Sequence, residues 1–311
     1  MNYNTELDLI QDIMSNLKSK YGIRFRRNQK LDFIKYAQNI FRQMGYKTYV
    51  QEKVELSEYV FLNQNLIIGD IEKAKVIMCA HYDTPFRSLH RYKIIYGKKM
   101  LKRDIIKGGI AILAYLIFIG ILLILLNCPT TIYLIVITLF ILSVPNKENL
   151  NDNTSGVLTI FKIAAELKEL NSSKVAFILF DNEEWGLIGS KVFKIQNKDV
   201  DNKLFINFDC VGVGDNIVIT GDKDSICEAK KIGGNKKGIK GKNILVKEMD
   251  LSKANSDERR FKNRIRFATF HRNKHEQLYI NNIHTKKDNK LDINNINEIS
   301  SIIKDYIIKI D

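Results

Sequence analysis

Lys75-Val-Ile-Met-Cys-Ala-His81-Tyr-Asp83 runs through an unbroken apolar stretch and then turns polar at once. A run of that kind reads as a strand buried on both faces, delivering His81 at its end. The same wording recurs twice. Val175–Phe180 leads into Asp181-Asn-Glu-Glu-Trp-Gly186, and Leu204-Phe-Ile-Asn-Phe-Asp209 ends on a carboxylate. Such strands alternate with helical patterns, which predicts an α/β fold built on a mixed, largely parallel central sheet flanked by helices.

Working outward, residues 5–20 place Leu7, Ile10, Ile13, Met14 and Leu17 on one helical face, and residues 29–44 repeat the pattern with Leu31, Ile34, Ala37, Phe41 and Met44. Gly45 reads as a helix stop. Strands are expected at 47–56, 59–69, 174–180, 203–208, 216–220 and 265–270, and helices at 155–170, near 187–196 and at 292–310. The stretch 233–243, GGNKKGIKGKN, reads as a solvated basic turn, because it lacks the strand and helix that frame a phosphate loop.

Composition bounds the function classes. A chain of 311 residues with 45% hydrophobic content can bury a large core. Its formal charge of +14 implies attraction to something anionic. Cys79, Cys128, Cys210 and Cys227 form no CxxC pair, so neither a disulfide framework nor a zinc knuckle is indicated. The amino terminus lacks the apolar core of a secretory signal, so export by a cleaved signal is not expected.

Candidate chemistry gathers at the strand ends. In His81-Tyr-Asp83 the side chains two apart point the same way, so Asp83 can reach the far nitrogen of the imidazole and orient it for a metal. Asn151-Asp-Asn-Thr-Ser-Gly156 suits a sharp turn and a helix start, and its Asp152 can bridge two cations. Glu183 and Glu184 are adjacent carboxylates after an apolar run, a costly arrangement unless a cation or a shared proton offsets it. One of the pair can ligate while the other takes a proton from a bridging water and returns it to a leaving amine. Ile283-His284-Thr285 supplies a second imidazole. Two imidazoles and three carboxylates suit a pair of borderline cations such as Zn²⁺. Each motif alone also fits a structural role; together and in this order they point to one site.

These motifs, HYD, NDNTSG, EEWGLIGS, INFDCVG and IHTKKD, resemble the zinc aminopeptidases of metallopeptidase family 28, which also holds the glutaminyl cyclases. The likeness extends to Met44-Gly-Tyr-Lys47, Asn65-Leu-Ile-Ile-Gly69 and Ser256-Asp-Glu-Arg-Arg-Phe261. It implies a zinc-exopeptidase-like sheet of about eight strands with the site at the carboxyl ends of the central ones. It further implies His81, Glu184, Asp209 and His284 as terminal ligands of two Zn²⁺, Asp152 as the bridge, Glu183 as general base and acid, and Asp83 as the residue that orients His81. Co²⁺ or Mn²⁺ are alternatives to zinc. The family's usual His after Ser-Asp is Glu258 here, which leaves the substrate-facing role of Asp257 open.

Between the HYD and NDNTSG motifs the chain carries an insertion. No charged residue occurs from Gly108 to Asn146. Gly108–Leu126 would span roughly 28 Å as a helix and Thr131–Val144 roughly 21 Å, against about 30 Å of hydrocarbon. The expectation is an inserted helical transmembrane hairpin, with helices at about 105–126 and 130–145 in a segment 87–147, while 1–86 and 148–311 form the peptidase domain. Arg87, Arg91, Lys93, Lys98, Lys99, Lys102, Arg103 and Lys107 precede the hairpin and Lys147 follows it. Basic flanks stay on the cytoplasmic side, so the catalytic domain is expected to face the cytoplasm against anionic lipid. The alternative buries the two apolar helices against one another across a homo-oligomer.

The function expected is a membrane-anchored di-zinc aminopeptidase acting on peptide substrates, through a metal-bridging water activated by Glu183. The alternatives are a glutaminyl cyclase-like acyltransferase and a non-catalytic membrane-surface binding protein. No nucleic-acid partner is expected, since the basic residues gather beside the hydrophobic segment rather than alternating with aromatics.

Overall fold

In the computed structural model, the structure describes residues 5–53, 63–88, 93–97, 110, 113–114, 116–121, 134, 144–168, 174–234, 238 and 241–310. The α-helices among the described residues include α1 (Glu6–Lys18), α2 (Arg27–Gln43), α3 (Ser155–Leu167), α4 (Ile188–Gln196), α5 (Ile226–Gly233) and α6 (Ile293–Ile310). The strands are β1 (Thr48–Lys53), β2 (Asn63–Ile68), β3 (Val76–His81), β4 (Lys93–Ile95), β5 (Val175–Phe180), β6 (Leu204–Phe208), β7 (Asn216–Gly221), β8 (Asn243–Glu248), β9 (Asn263–Arg272) and β10 (Leu278–Asn281).

At the centre of the sheet, β5, β3, β6 and β9 lie side by side and parallel. Antiparallel β2 and then β1 flank this block beyond β5. On the far side β9 pairs antiparallel with β7, which carries β8, and the end of β9 also pairs with β10, which carries β4. Among the described residues ten strands stand where about eight were expected. The additional pairing is the small extension of β10 and β4, and β4 comes from inside the stretch read as the insertion.

The period of two along the central strands divides the core into two layers. Val76, Met78 and Ala80 of β3, with Val175, Phe177 and Leu179 of β5, pack under α1, α2, α3 and α6. Ile77 and Cys79, with Ala176, Ile178 and Phe180, face the opposite layer against Phe193 of α4, Phe205 and Phe261. Strands covered on both sides need apolar residues at every position, which is why these runs show no alternation. The chemistry is therefore displaced to their ends.

The expected hairpin lies for most of its length outside the described residues. Within it, residues 110, 113–114, 116–121 and 134 are helical, and Ile110, Leu113, Leu116, Ile117, Phe118, Ile121 and Leu134 are exposed. Among the described residues no helix is long and apolar enough to cross a membrane. The base of the segment is well defined: Phe86 and Pro145 form an antiparallel bridge, Arg87 N donates to Val144 O at 3.2 Å, and Asn146 N donates to Pro85 O at 2.8 Å.

Candidate metal centre

The carboxyl ends of β3, β5 and β6 open on one side of the sheet, and the predicted residues collect there. His81 is the last residue of β3, and Asp83 follows two positions on, both buried. Asp83 Oδ1 lies 3.4 Å from His81 Nδ1. The same carboxylate accepts the backbone N–H groups of Glu183 at 3.0 Å and Glu184 at 3.2 Å. One side chain thus sets the imidazole and the turn that carries both glutamates.

That turn after β5 is tightly built. Asn182 and Leu187 adopt left-handed backbone, and buried Lys30 of α2 places Nζ 2.7 Å from Asp181 Oδ1. A Cβ on Gly189 would stand 2.2 Å from Asp181 O, so only glycine lets α4 start this close to the turn.

Asp152 sits in the turn Leu150–Thr154, just ahead of α3. Asp288 caps this turn, its two carboxylate oxygens accepting Asn151 N at 2.8 Å and Asp152 N at 3.1 Å. The peptide bond joining Asp152 to Asn153 is cis. Asn153 Nδ2 donates to Phe208 O at 2.9 Å, while its Oδ1 accepts Cys210 N at 3.3 Å. These bonds lock the turn to the end of β6, where Asp209 begins. Asp209 Oδ2 accepts Ser256 Oγ at 2.6 Å and lies 3.2 Å from Arg266 Nη2. His284, in left-handed backbone beyond β10, is held through its carbonyl by Ser88 N at 2.7 Å.

His81 Nε2 lies 3.2 Å from Asp152 Oδ1, and His284 Nε2 lies 3.0 Å from Asp152 Oδ2 and 3.3 Å from Glu184 Oε1. Donor atoms of His81, Asp152 and Asp209 fall within 4.8 Å of one another, as do those of Asp152, Glu184 and His284. Asp152 belongs to both triads, and each adds one imidazole and one carboxylate. Glu183 groups with His81 and Glu184 within the same limit.

The electrostatics follow from many carboxylates in a dry place. Burial pushes the Glu183 carboxyl well above its ordinary value, and Glu184, Asp257 and Asp209 add to this while His81 opposes it. Burial alone would lower His81 and His284, yet the surrounding carboxylates hold both well above the ordinary imidazole value. Asp152 is held low despite its burial, because both imidazoles bond to it. Glu184 Oε1 is buried without a well-formed hydrogen bond. A negative, poorly solvated cluster of nitrogen and carboxylate donors with such an oxygen fits borderline divalent cations.

All seven residues singled out from sequence stand at this centre. Glu258 does not: it is fully buried, its Oε2 accepting from Asn207 Nδ2 at 2.8 Å. Asp257 is buried alongside, and burial pushes its carboxyl up to about 7. Sequence reasoning missed Asp288, Ser256 and Arg266. For Asp288 a signal existed, since it closes the quoted IHTKKD motif.

Fold and centre together define an α/β protein of the zinc-exopeptidase-like class. A family model, peptidase family M28, matches residues 142–307, and the chain belongs to that family of hydrolases. The structure is similar to a leucine aminopeptidase precursor from Bacteroides thetaiotaomicron (17% identity, 98% of this chain and 97% of that one, TM-score 0.60). It is similar also to a Zn-dependent exopeptidase from Parabacteroides distasonis (14%, 97% and 98%, 0.60). A glutaminyl cyclase from Porphyromonas gingivalis gives comparable figures (13%, 99% and 99%, 0.62). At such identities the likeness establishes the fold alone. No curated protein sequence matches the chain significantly.

Proposed function

We propose that this M28 member is an aminopeptidase that holds two zinc ions and is anchored to a membrane with its catalytic domain facing the cytoplasm. The observation that carries the catalytic part is the pair of donor triads sharing Asp152. His81 and Asp209 would hold one ion, His284 and Glu184 the other, with Asp152 between them. Bound zinc supplies Lewis-acid polarisation of the scissile carbonyl and acidifies water beside it.

The protein's own residues do the rest. Glu183 stands within reach of the His81 and Glu184 donors, a buried carboxylate placed to exchange a proton with water at the centre. It takes a proton from the attacking water and passes it to the leaving amine as the C–N bond breaks. Asp83 positions His81 and Glu183 relative to one another by holding both.

Replacing Glu183 by Gln keeps size and shape while removing the base. Hydrolysis of aminoacyl amides should fall by roughly 10²–10⁴-fold, with zinc content per chain unchanged. Full activity in that variant would sink the assigned mechanism.

A second reading, cyclisation of amino-terminal glutamine, is favoured by the likeness to a glutaminyl cyclase. Ammonia release from a glutaminyl peptide, with no cleavage of other aminoacyl amides, would select it. Anchoring is supported by the exposed apolar residues between Ile110 and Leu134 and by the basic residues ahead of them. Basic flanks also favour the cytoplasmic side.

A further inference from the structure

The two triads are alike in donor type, but their surroundings differ. Arg266, on β9, points its guanidinium into the His81/Asp152/Asp209 half, with Nη2 3.2 Å from Asp209 Oδ2. Ser256 Oγ donates to that same oxygen at 2.6 Å. One oxygen of Asp209 is therefore already shared by two donors, one of them permanently cationic. The Nε of Arg266 is buried without a hydrogen-bond partner. Asp209 is the ion-pair partner of the guanidinium among the described residues, and the buried carboxylates of Glu258 and Glu183 lie near enough to attract it as well.

In the other half, the ion-pair contact of Glu184 among the described residues is with His284, at 3.3 Å. Each half brings one imidazole, but beside Asp209 stands a guanidinium as well, which stays charged. A cation arriving beside Asp209 meets a fixed positive charge that competes for the same carboxylate.

Resting on the two-zinc reading above, we propose that Arg266 makes the halves unequal: the Asp152/Glu184/His284 half fills first and tightly, and the His81/Asp152/Asp209 half takes a second zinc weakly. A charge–charge contact at this range in a partly dry site is worth about tenfold or more in affinity. Occupancy of the second position then follows the zinc supply, so the chain passes between one-zinc and two-zinc states. Arg266 acts on the reaction through Asp209, as a positioning residue and not a catalytic one.

The test is a Zn²⁺ titration of the metal-stripped full chain in detergent, read by calorimetry with a competing chelator. Two binding events should differ by about tenfold or more. His284→Ala should abolish the tight event and His81→Ala the weak one. Arg266→Gln should tighten the weak event by about tenfold with the tight one unchanged, while Arg266→Lys should leave it weak. Wild-type protein that takes one zinc, joined by a second only in Arg266→Gln, would support the proposal equally. If Arg266→Gln does not fold, Arg266→Met, which removes the same charge while keeping the apolar stem, carries the same expectation of a weak event tightened by about tenfold. Equal affinities, a weak event that belongs to His284, or a weak event indifferent to Arg266→Gln would overturn the asymmetry and leave the metal centre standing. Absence of any saturable zinc binding would instead remove the metal centre, and this proposal with it.

Discussion

Asp83 is the residue on which the largest number of site elements converge. Its carboxylate contacts His81 Nδ1 and accepts the N–H groups of both Glu183 and Glu184. An Asn in its place keeps one acceptor oxygen and replaces the other by a donor, which would confront an N–H. Residues that orient a metal-binding imidazole in this way typically contribute 10–100-fold to affinity. Asp83→Asn is therefore expected to weaken zinc binding by about that factor, measured by chelator competition with the fold checked by circular dichroism. Unchanged affinity would show that His81 needs no orientation from it. The candidate donor set was legible because each member ends an apolar strand or stands in a short polar turn, where burial of a charged side chain demands a reason. Asp288 and Ser256 stand in quoted motifs, but the roles of these two and of Arg266 were not legible, because they are contacts made across the fold. Arg266 reads as an ordinary polar residue within a strand, and only the neighbouring strand places Asp209 beside it.

The elements that present the site depend on close approaches and buried charges remote from the chemistry. Lys30 and Asp181 form an ion pair with both side chains almost fully buried, joining α2 to the turn after β5. Removing one partner strands the other charge, which costs about 3–5 kcal/mol. Lys30→Met should lose that much in urea-induced unfolding, and adding Asp181→Asn should recover a large part of it. A double variant no better than the single would mean that packing, not charge, sets the cost. Gly156 at the start of α3 offers a second test, since a Cβ there would stand 2.3 Å from Phe208 O and 2.4 Å from Asn153 Oδ1. Gly156→Ala should destabilise by about 1–3 kcal/mol and loosen the turn bearing Asp152, seen as a lower melting temperature together with weaker zinc binding. Strands such as β3, β5 and β6 were visible in the sequence because both faces are covered. By contrast β8 is only half-buried along most of its length, while β4 and β10 are a few residues long and owe their strand character to one another. Such edges carry neither an apolar run nor a clean alternation, and α5 went unread in the same way.

At the scale of the whole molecule, the net charge of +14 and the exposed apolar residues between Ile110 and Leu134 bear on one question, where the chain resides. The segment leaves and rejoins the catalytic domain at a closed base, because Phe86 pairs with Pro145 and Asn146 N reaches Pro85 O at 2.8 Å. Its near part also supports the site. Ser88 N holds the His284 carbonyl at 2.7 Å, and β4 pairs with β10, the strand that leads to His284. The distal part, residues 98–143, can then be removed and the gap closed with a short Gly/Ser linker while those contacts are kept. Loop closure over a changed length costs only about 0.6 kcal/mol per doubling, so the shortened chain should fold and bind zinc as the full chain does. What should change is partitioning. The full chain is expected to sediment with membranes and to resist extraction by high salt, because apolar burial is insensitive to screening while headgroup attraction is not. The shortened chain should remain in the supernatant, and any residual binding to anionic vesicles through Arg87 and Lys93 should disappear as salt rises. A full chain found in the supernatant, or a shortened chain still held by membranes in high salt, would remove the anchor from the proposal and leave the catalytic reading untouched.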